Sequence, residues 1–176
     1  MKTWRQFLLE KAEHEFSSTQ VNLPESIAKK IREWGRQHIA SGDIHPEEGN
    51  EDEIHVTVLF GLHDNEPDEV EEALTDEPPV RLTLGKTSIF ECDDYDVVKL
   101  DVESEDLHRI NAKLQKHCVY TATHPTYKPH CTIAYVKKGM GKRYAGDDTF
   151  AGTELEIGEV LFSNKNREKT VIALKS

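Results

Sequence analysis

Two short segments of this chain carry side chains suited to acid–base chemistry. They are His55-Val56-Thr57-Val58-Leu59-Phe60-Gly61 and, 75 residues later, His130-Cys131-Thr132-Ile133-Ala134-Tyr135-Val136. Both follow one pattern: His, any residue, Thr, a β-branched residue, an apolar residue, an aromatic, then Gly or Val. That composition predicts a strand in each case. In a strand, residues i and i+2 share a face. His55 should therefore project with Thr57, and His130 with Thr132. Strict alternation sends Val56, Val58 and Phe60, and likewise Cys131, Ile133 and Tyr135, into a core.

An imidazole with an unperturbed pKa of about 6.5 can serve as base or acid near neutrality. One neutral histidine can take a proton from an attacking water or hydroxyl, while a second, protonated, supplies one to the leaving oxygen. Two threonine hydroxyls can donate to the non-bridging oxygens of a phosphoryl group, where charge accumulates. The foursome suits hydrolysis or transfer at a phosphodiester, with no metal ion or cofactor. A lone His-x-Thr means little, because 9 His and 13 Thr in 176 residues give about 0.7 such tripeptides by chance. A third copy, His124-Pro125-Thr126, contains a proline that disfavours a regular central strand. The repeated seven-residue pattern is what carries the inference.

The elements around the motifs repeat too. Thr3 to Glu15 has Trp4, Phe7, Leu8 and Ala12 at helical spacing, predicting an extra N-terminal helix within residues 1–16. Ser17 to Leu23 reads as a strand. A helix opening at Pro24 follows, with Ile27, Ile31, Trp34 and His38 on its core stripe and a stop near Ser41-Gly42. An acidic loop, residues 43–53, leads to the first motif. Pro67 opens a shorter helix. Val80–Leu84, Thr87–Cys92 and Tyr95–Val102 read as three strands, and Ser104 caps a helix with Leu107, Ile110, Leu114 and His117 at core spacing. A Thr/Pro-rich loop, residues 121–129, precedes the second motif, and Thr153–Phe162 with Lys169–Leu174 suggests a closing hairpin. Strand, helix, loop and motif strand thus occur twice, which predicts one domain, residues 1–176, of two pseudo-repeats, about 17–79 and 80–176.

Bulk properties narrow the function further. A single domain of this length can bury a core without disulfides. Its three well-separated cysteines, Cys92, Cys118 and Cys131, fit free thiols in a reducing compartment, so a cytoplasmic protein is expected. No 18-residue apolar run is present, so no membrane partner is expected. A net charge of −11 argues against binding long duplex nucleic acid. The charge is unevenly spread. No Lys or Arg occurs between Gln37 and Val80, where 14 acids lie, and no Asp or Glu occurs between Leu107 and Gly146, where eight cations lie. Substrate phosphates are therefore expected toward the second motif, with the acidic loop near His55 limiting what else enters. Tyr127 and Lys128, just before that motif, could stack a nucleobase and hold a phosphate. His45, His55, His63 and Asp64 lack metal-ligand spacing, so no metal site is expected.

The chain resembles the 2H phosphoesterases, also described as 2′-5′ RNA ligase-like or cyclic phosphodiesterase-like proteins. The resemblance rests on His55-Val56-Thr57-Val58 and Pro129-His130-Cys131-Thr132-Ile133 and spans roughly residues 18–176. It implies a bilobal α+β fold, with two antiparallel sheets around a central cleft, pseudo-two-fold symmetry and outer helices. It implies metal-independent phosphodiesterase chemistry on 2′,3′-cyclic phosphates, 2′-5′ bonds or cyclic nucleotides, with His55, Thr57, His130 and Thr132 as the catalytic set. Lys128 matches a basic residue that members often carry there, whereas the acidic loop departs from the pattern. The substrate could be a small nucleotide or an RNA end. A phage-type anti-defence (anti-CBASS) nuclease cleaving cyclic oligonucleotide signals remains an alternative, and a non-catalytic nucleotide or RNA-end binder is the alternative from another class. A monomer is favoured.

Overall fold

The computed structural model describes residues 15–175, so the helix expected at the N-terminus lies outside the described residues. Within them, eight strands and three helices follow in the order β1 (Ser17–Asn22), α1 (Glu25–His38), β2 (His55–Leu62), α2 (Asp68–Leu74), β3 (Val80–Glu91), β4 (Tyr95–Glu103), α3 (Glu105–His117), β5 (His130–Lys137), β6 (Glu154–Ile157), β7 (Glu159–Ser163) and β8 (Lys169–Ala173). Pro24 precedes α1, which buries Ala28, Ile31, Trp34 and Gly35. The Ser104 hydroxyl caps α3 by accepting from the Leu107 N–H at 3.1 Å, and α3 buries Leu107, Ile110, Asn111 and Leu114. Both stripes stop short of their last histidine: His38 and His117 are exposed. No helix of the described residues is long and apolar enough to cross a membrane.

The fold is α+β, as the motifs imply, but the strands form one antiparallel sheet where two were expected. Its order is β6-β3-β4-β5-β2-β1-β7-β8. The two halves meet between β5 and β2, through the single residue pair Val56–Cys131. Two sequence expectations change with this topology. Val80–Leu84 and Thr87–Cys92 are one strand with a register shift between Leu84 and Thr87, because β4 pairs on both sides of the irregularity. Thr153–Phe162 is split at Gly158: β6 pairs with β3, whereas β7 pairs with β1 and β8. One glycine thus links strands near opposite ends of the sheet, so the sheet must curl round on itself.

Each motif strand carries a β-bulge, at the same place. In β2, Leu59 pairs with Thr19 and Thr57 with Gln20, leaving Val58 as the extra residue. In β5, Ala134 pairs with Val98 and Thr132 with Lys99, leaving Ile133 as the extra residue. Both bulges fall three residues after the motif histidine. A bulge resets the alternation of side chains. Phe60 and Tyr135 therefore turn to the His/Thr face, and the expectation that both rings enter the core is corrected.

The bulges also strand backbone groups, which must find partners. The Val58 carbonyl accepts from Asn111 Nδ2 of α3 at 2.7 Å, and the Ile133 carbonyl accepts from the Glu51 N–H at 2.9 Å. The buried Thr19 hydroxyl accepts from the Leu59 N–H at 3.1 Å and donates to the Leu59 carbonyl at 3.3 Å. The repeats are crossed: the loop before β2 bonds along β5, while residues before β5 bond along β2. Gly35 of α1 approaches Ile133 so closely that a Cβ there would lie 2.9 Å from the isoleucine Cγ2.

Replacing Thr19 by Val keeps its shape but removes both hydrogen bonds between its hydroxyl and the Leu59 backbone. A loss of about 1–3 kcal/mol in urea unfolding is expected, with Thr19→Ser close to wild type.

Candidate active site

The Val56–Cys131 pair organises the motif residues. Both side chains are fully buried, on the core face. The antiparallel sense of the pair places His55 across from Thr132 and Thr57 across from His130, all four half-buried on the opposite face. That face floors a cleft of about 610 Å³, lined by the four motif residues together with Glu51, Phe60, Phe90, His124, Thr126, Tyr127, Lys128 and Tyr135.

The two imidazoles are held alike. His55 Nδ1 lies 2.7 Å from the Glu53 carbonyl and His130 Nδ1 lies 2.8 Å from the Lys128 carbonyl, in each case two residues back. A carbonyl only accepts, so each Nδ1 carries its proton, which leaves Nε2 as the ring atom able to exchange a proton with a ligand. Among the described residues, neither the Thr57 nor the Thr132 hydroxyl has a protein partner, so both can turn toward an anion. Burial pushes the Cys131 thiol up to about 12, and it lies on the core face, away from the cleft.

The surroundings of the two histidines differ in charge. Glu53 accepts from Gln20 Nε2 at 2.7 Å, from Asn22 Nδ2 at 2.9 Å and from Lys169. Burial disfavours its ionisation, but the hydrogen bonds from Lys169 and Asn22 prevail and hold its carboxyl below the usual range. His55 therefore sits beside a fixed carboxylate, with Glu51 as a second acid nearby. His130 instead faces β4, where Lys99 and Asp101 stand across from Thr132 and His130. Lys99 Nζ donates to Ser88 Oγ at 2.6 Å and Asp101 Oδ1 at 2.7 Å, and it lies 4.3 Å from the centre of the Phe90 ring. That ring meets His130 edge-on at 4.9 Å. Burial, and then the positive charges of Lys99, His55 and His124, lower the His130 pKa below its ordinary value, although the Lys128 carbonyl opposes them.

Tyr127 lines the cleft, but its hydroxyl donates to the Thr57 carbonyl at 2.9 Å and its ring packs edge-on against His108 at 5.3 Å. It bolts the 121–129 loop to β2. Lys128 is exposed at the cleft, and its carbonyl orients His130. Sequence reasoning missed Glu51, Phe60, Phe90, Lys99 and Tyr135. Phe60 and Tyr135 were visible as an aromatic at the same position of both motif copies, and Lys99 as a lone charge within the apolar run Val97–Leu100. Glu51 had a subtler mark: it precedes His55 by four residues, as Thr126 precedes His130.

A family model described as the 2′-5′ RNA ligase superfamily matches residues 23–141, a span holding both motifs. The chain belongs to this superfamily. As a member it is a 2H phosphoesterase, an enzyme acting on phosphodiester or cyclic phosphate substrates. No curated protein sequence matches the chain. Several solved structures share the superfamily fold. Escherichia coli LigT complexed with 3′-AMP is 19% identical, with a TM-score of 0.59, covering 92% of this chain and 95% of that one. Usb1 of Kluyveromyces marxianus is 11% identical, with a TM-score of 0.60 over 92% and 99%. TT0787 of Thermus thermophilus is 19% identical, with a TM-score of 0.58 over 91% and 95%. At these identities the likeness is one of fold.

Lys99 tests the charge asymmetry. Its ammonium disfavours a second positive charge on His130, so Lys99→Met should raise the His130 pKa. In an NMR titration the His130 imidazole of that variant should protonate at higher pH than in wild type.

Proposed function

We propose that this protein is a metal-independent phosphodiesterase acting on small nucleotides or RNA ends that carry a 2′,3′-cyclic phosphate, a 2′-5′ linkage or a cyclic nucleotide bond. The observation that carries the reading is the pair of imidazoles, each fixed through Nδ1 and set diagonally across Val56–Cys131 with a threonine hydroxyl opposite. His130, kept neutral by burial and by Lys99, is the base. Its Nε2 takes a proton from the attacking water as the new P–O bond forms. His55, beside Glu53 and Glu51, is the acid, and its Nε2 delivers a proton to the leaving oxygen as the old P–O bond breaks. Thr57 and Thr132 donate to the non-bridging oxygens, where charge rises in the transition state. Lys128, which forms no ion pair among the described residues, is available to a phosphate oxygen, and the Tyr127 ring borders the same side.

This division of roles follows from electrostatics. Two equivalent imidazoles would share one proton state at a given pH, whereas the reaction needs one of each. Lys99 favours the neutral ring at His130, whereas the charged groups nearest His55 are the Glu53 and Glu51 carboxylates.

Turnover should be measured on 2′,3′-cyclic nucleotides, 2′-5′-linked dinucleotides and cyclic dinucleotides. His55→Ala and His130→Ala should each lower kcat by about 10²–10⁴-fold with little change in urea unfolding, and excess EDTA should leave wild-type turnover unchanged. Full activity in either variant removes that histidine from the mechanism, and loss of activity with EDTA removes the metal-free reading. The acid limb of kcat/KM should fall below the ordinary imidazole value of about 6.5, because the base is protonated only at lower pH.

A further inference from the structure

The two halves of the cleft are related position by position, and the relation exposes a place where two cleft-lining side chains differ in charge. Counting back two residues from each motif histidine gives Glu53 and Lys128, whose carbonyls do the same work. Counting back four gives Glu51 and Thr126, which both line the cleft. One side thus presents a carboxylate where the other presents a neutral hydroxyl.

Glu51 is fixed in place by its own backbone. Its N–H donates at 2.9 Å to the carbonyl of Ile133, the bulged residue of β5, and the loop around it is tied to β5 by the His45 N–H to Tyr135 carbonyl and Tyr135 N–H to Gly49 carbonyl bonds, both 2.9 Å. The side chain is half-buried, lines the cleft and lies close enough to His55 for their charges to interact. The Glu53 carboxylate is saturated by Gln20, Asn22 and Lys169. The Glu51 carboxylate, by contrast, meets no side-chain donor among the described residues and has only the Glu53 backbone N–H beside it. Burial raises its pKa, and the positive charge of His55 opposes that rise.

A partly buried carboxylate with most of its lone pairs free, inside a phosphodiester cleft, has two consequences. It accepts hydrogen bonds from a neutral donor, such as a ribose hydroxyl or a base N–H. It also repels a second phosphate brought to the same place, and the repulsion is strong because the site is only partly screened. Discrimination by an unfavourable charge contact is a general way to reject a near-identical substrate.

We propose that Glu51 sets substrate specificity by receiving the nucleoside that carries the leaving oxygen next to His55, accepting from its neutral donors and excluding nucleosides that bear an additional phosphate there. The inference rests on the roles assigned to His55 and His130 above. It concerns a residue outside both motifs and gives the acidic loop a function: the loop acts as a charge filter on one side of a cleft whose other side is basic.

The experiment compares kcat/KM for a 2′,3′-cyclic nucleotide with and without a 5′-phosphate, in wild type, Glu51→Gln and Asp52→Asn. In the cyclic substrate the leaving oxygen and the 5′ position belong to one nucleoside, so both must meet the same side. Wild type should prefer the unphosphorylated nucleotide by about tenfold or more, through the partly screened like-charge contact. Glu51→Gln should raise kcat/KM for the phosphorylated substrate and close most of that gap. Asp52→Asn, one residue along the loop and outside the cleft lining, should leave the wild-type ratio in place. An unchanged ratio in Glu51→Gln overturns the filter, as does an equal fall in both rates, which would mark a general role in holding the site. If neither nucleotide is turned over by wild type, the reading of cyclic phosphates as substrates fails first, so the two failures are distinguishable.

Discussion

One residue pair, Val56–Cys131, is the constraint on which the rest of the structure depends. It is the sole ladder contact between β2 and β5 and therefore between the two halves of the described sheet. An antiparallel pair fixes its neighbours by geometry, so a histidine from each strand meets a threonine from the other without further design. Because the strands then diverge, each leaves backbone groups unpaired along the rest of its edge. Those groups have to be satisfied, and the chain does so by crossing its repeats: the loop before β2 covers β5, and residues before β5 cover β2. The same crossing brings Glu51, Tyr127 and Lys128 to the cleft. Closing the sheet edge and building the site wall are one operation.

The paired bulges extend this logic. Three residues past each histidine, an inserted residue turns the following aromatic from the core to the cleft. A strand of unbroken alternation would have offered the ligand two polar side chains followed only by aliphatic residues or glycine. With the bulge, each motif turns an imidazole, a hydroxyl and an aromatic ring to the cleft.

A fold this symmetric cannot by itself distinguish an acid from a base. In the proposed mechanism, charge makes the distinction. Glu51 and Glu53 lie on the His55 side, Lys128 on the His130 side, and Lys99 is buried on β4 beside the second motif strand, against Phe90 and Asp101. The net charge of −11 conceals this arrangement, because the relevant quantity is the field at each imidazole, which depends on which loops the fold brings near.

Local chemistry was sufficient for what depends on near neighbours in the chain. The strand character of both motifs, the helix starts at Pro24 and Ser104, and the sharing of a face by His55 with Thr57 and His130 with Thr132 follow from side-chain period and capping alone. The duplicated pattern pointed to phosphodiester chemistry and to the superfamily. Pairing over long separations was not legible. That Phe60 and Tyr135 leave the core depends on a register set by β1 and β4, far away in sequence. That Lys99 reaches His130's surroundings depends on the β4–β5 alignment, and that Glu51 enters the cleft depends on a hydrogen bond to Ile133, 82 residues on. Periodicity states which side chains share a face. Only the assembled sheet decides what stands opposite them, because register is a property of two strands and never of one.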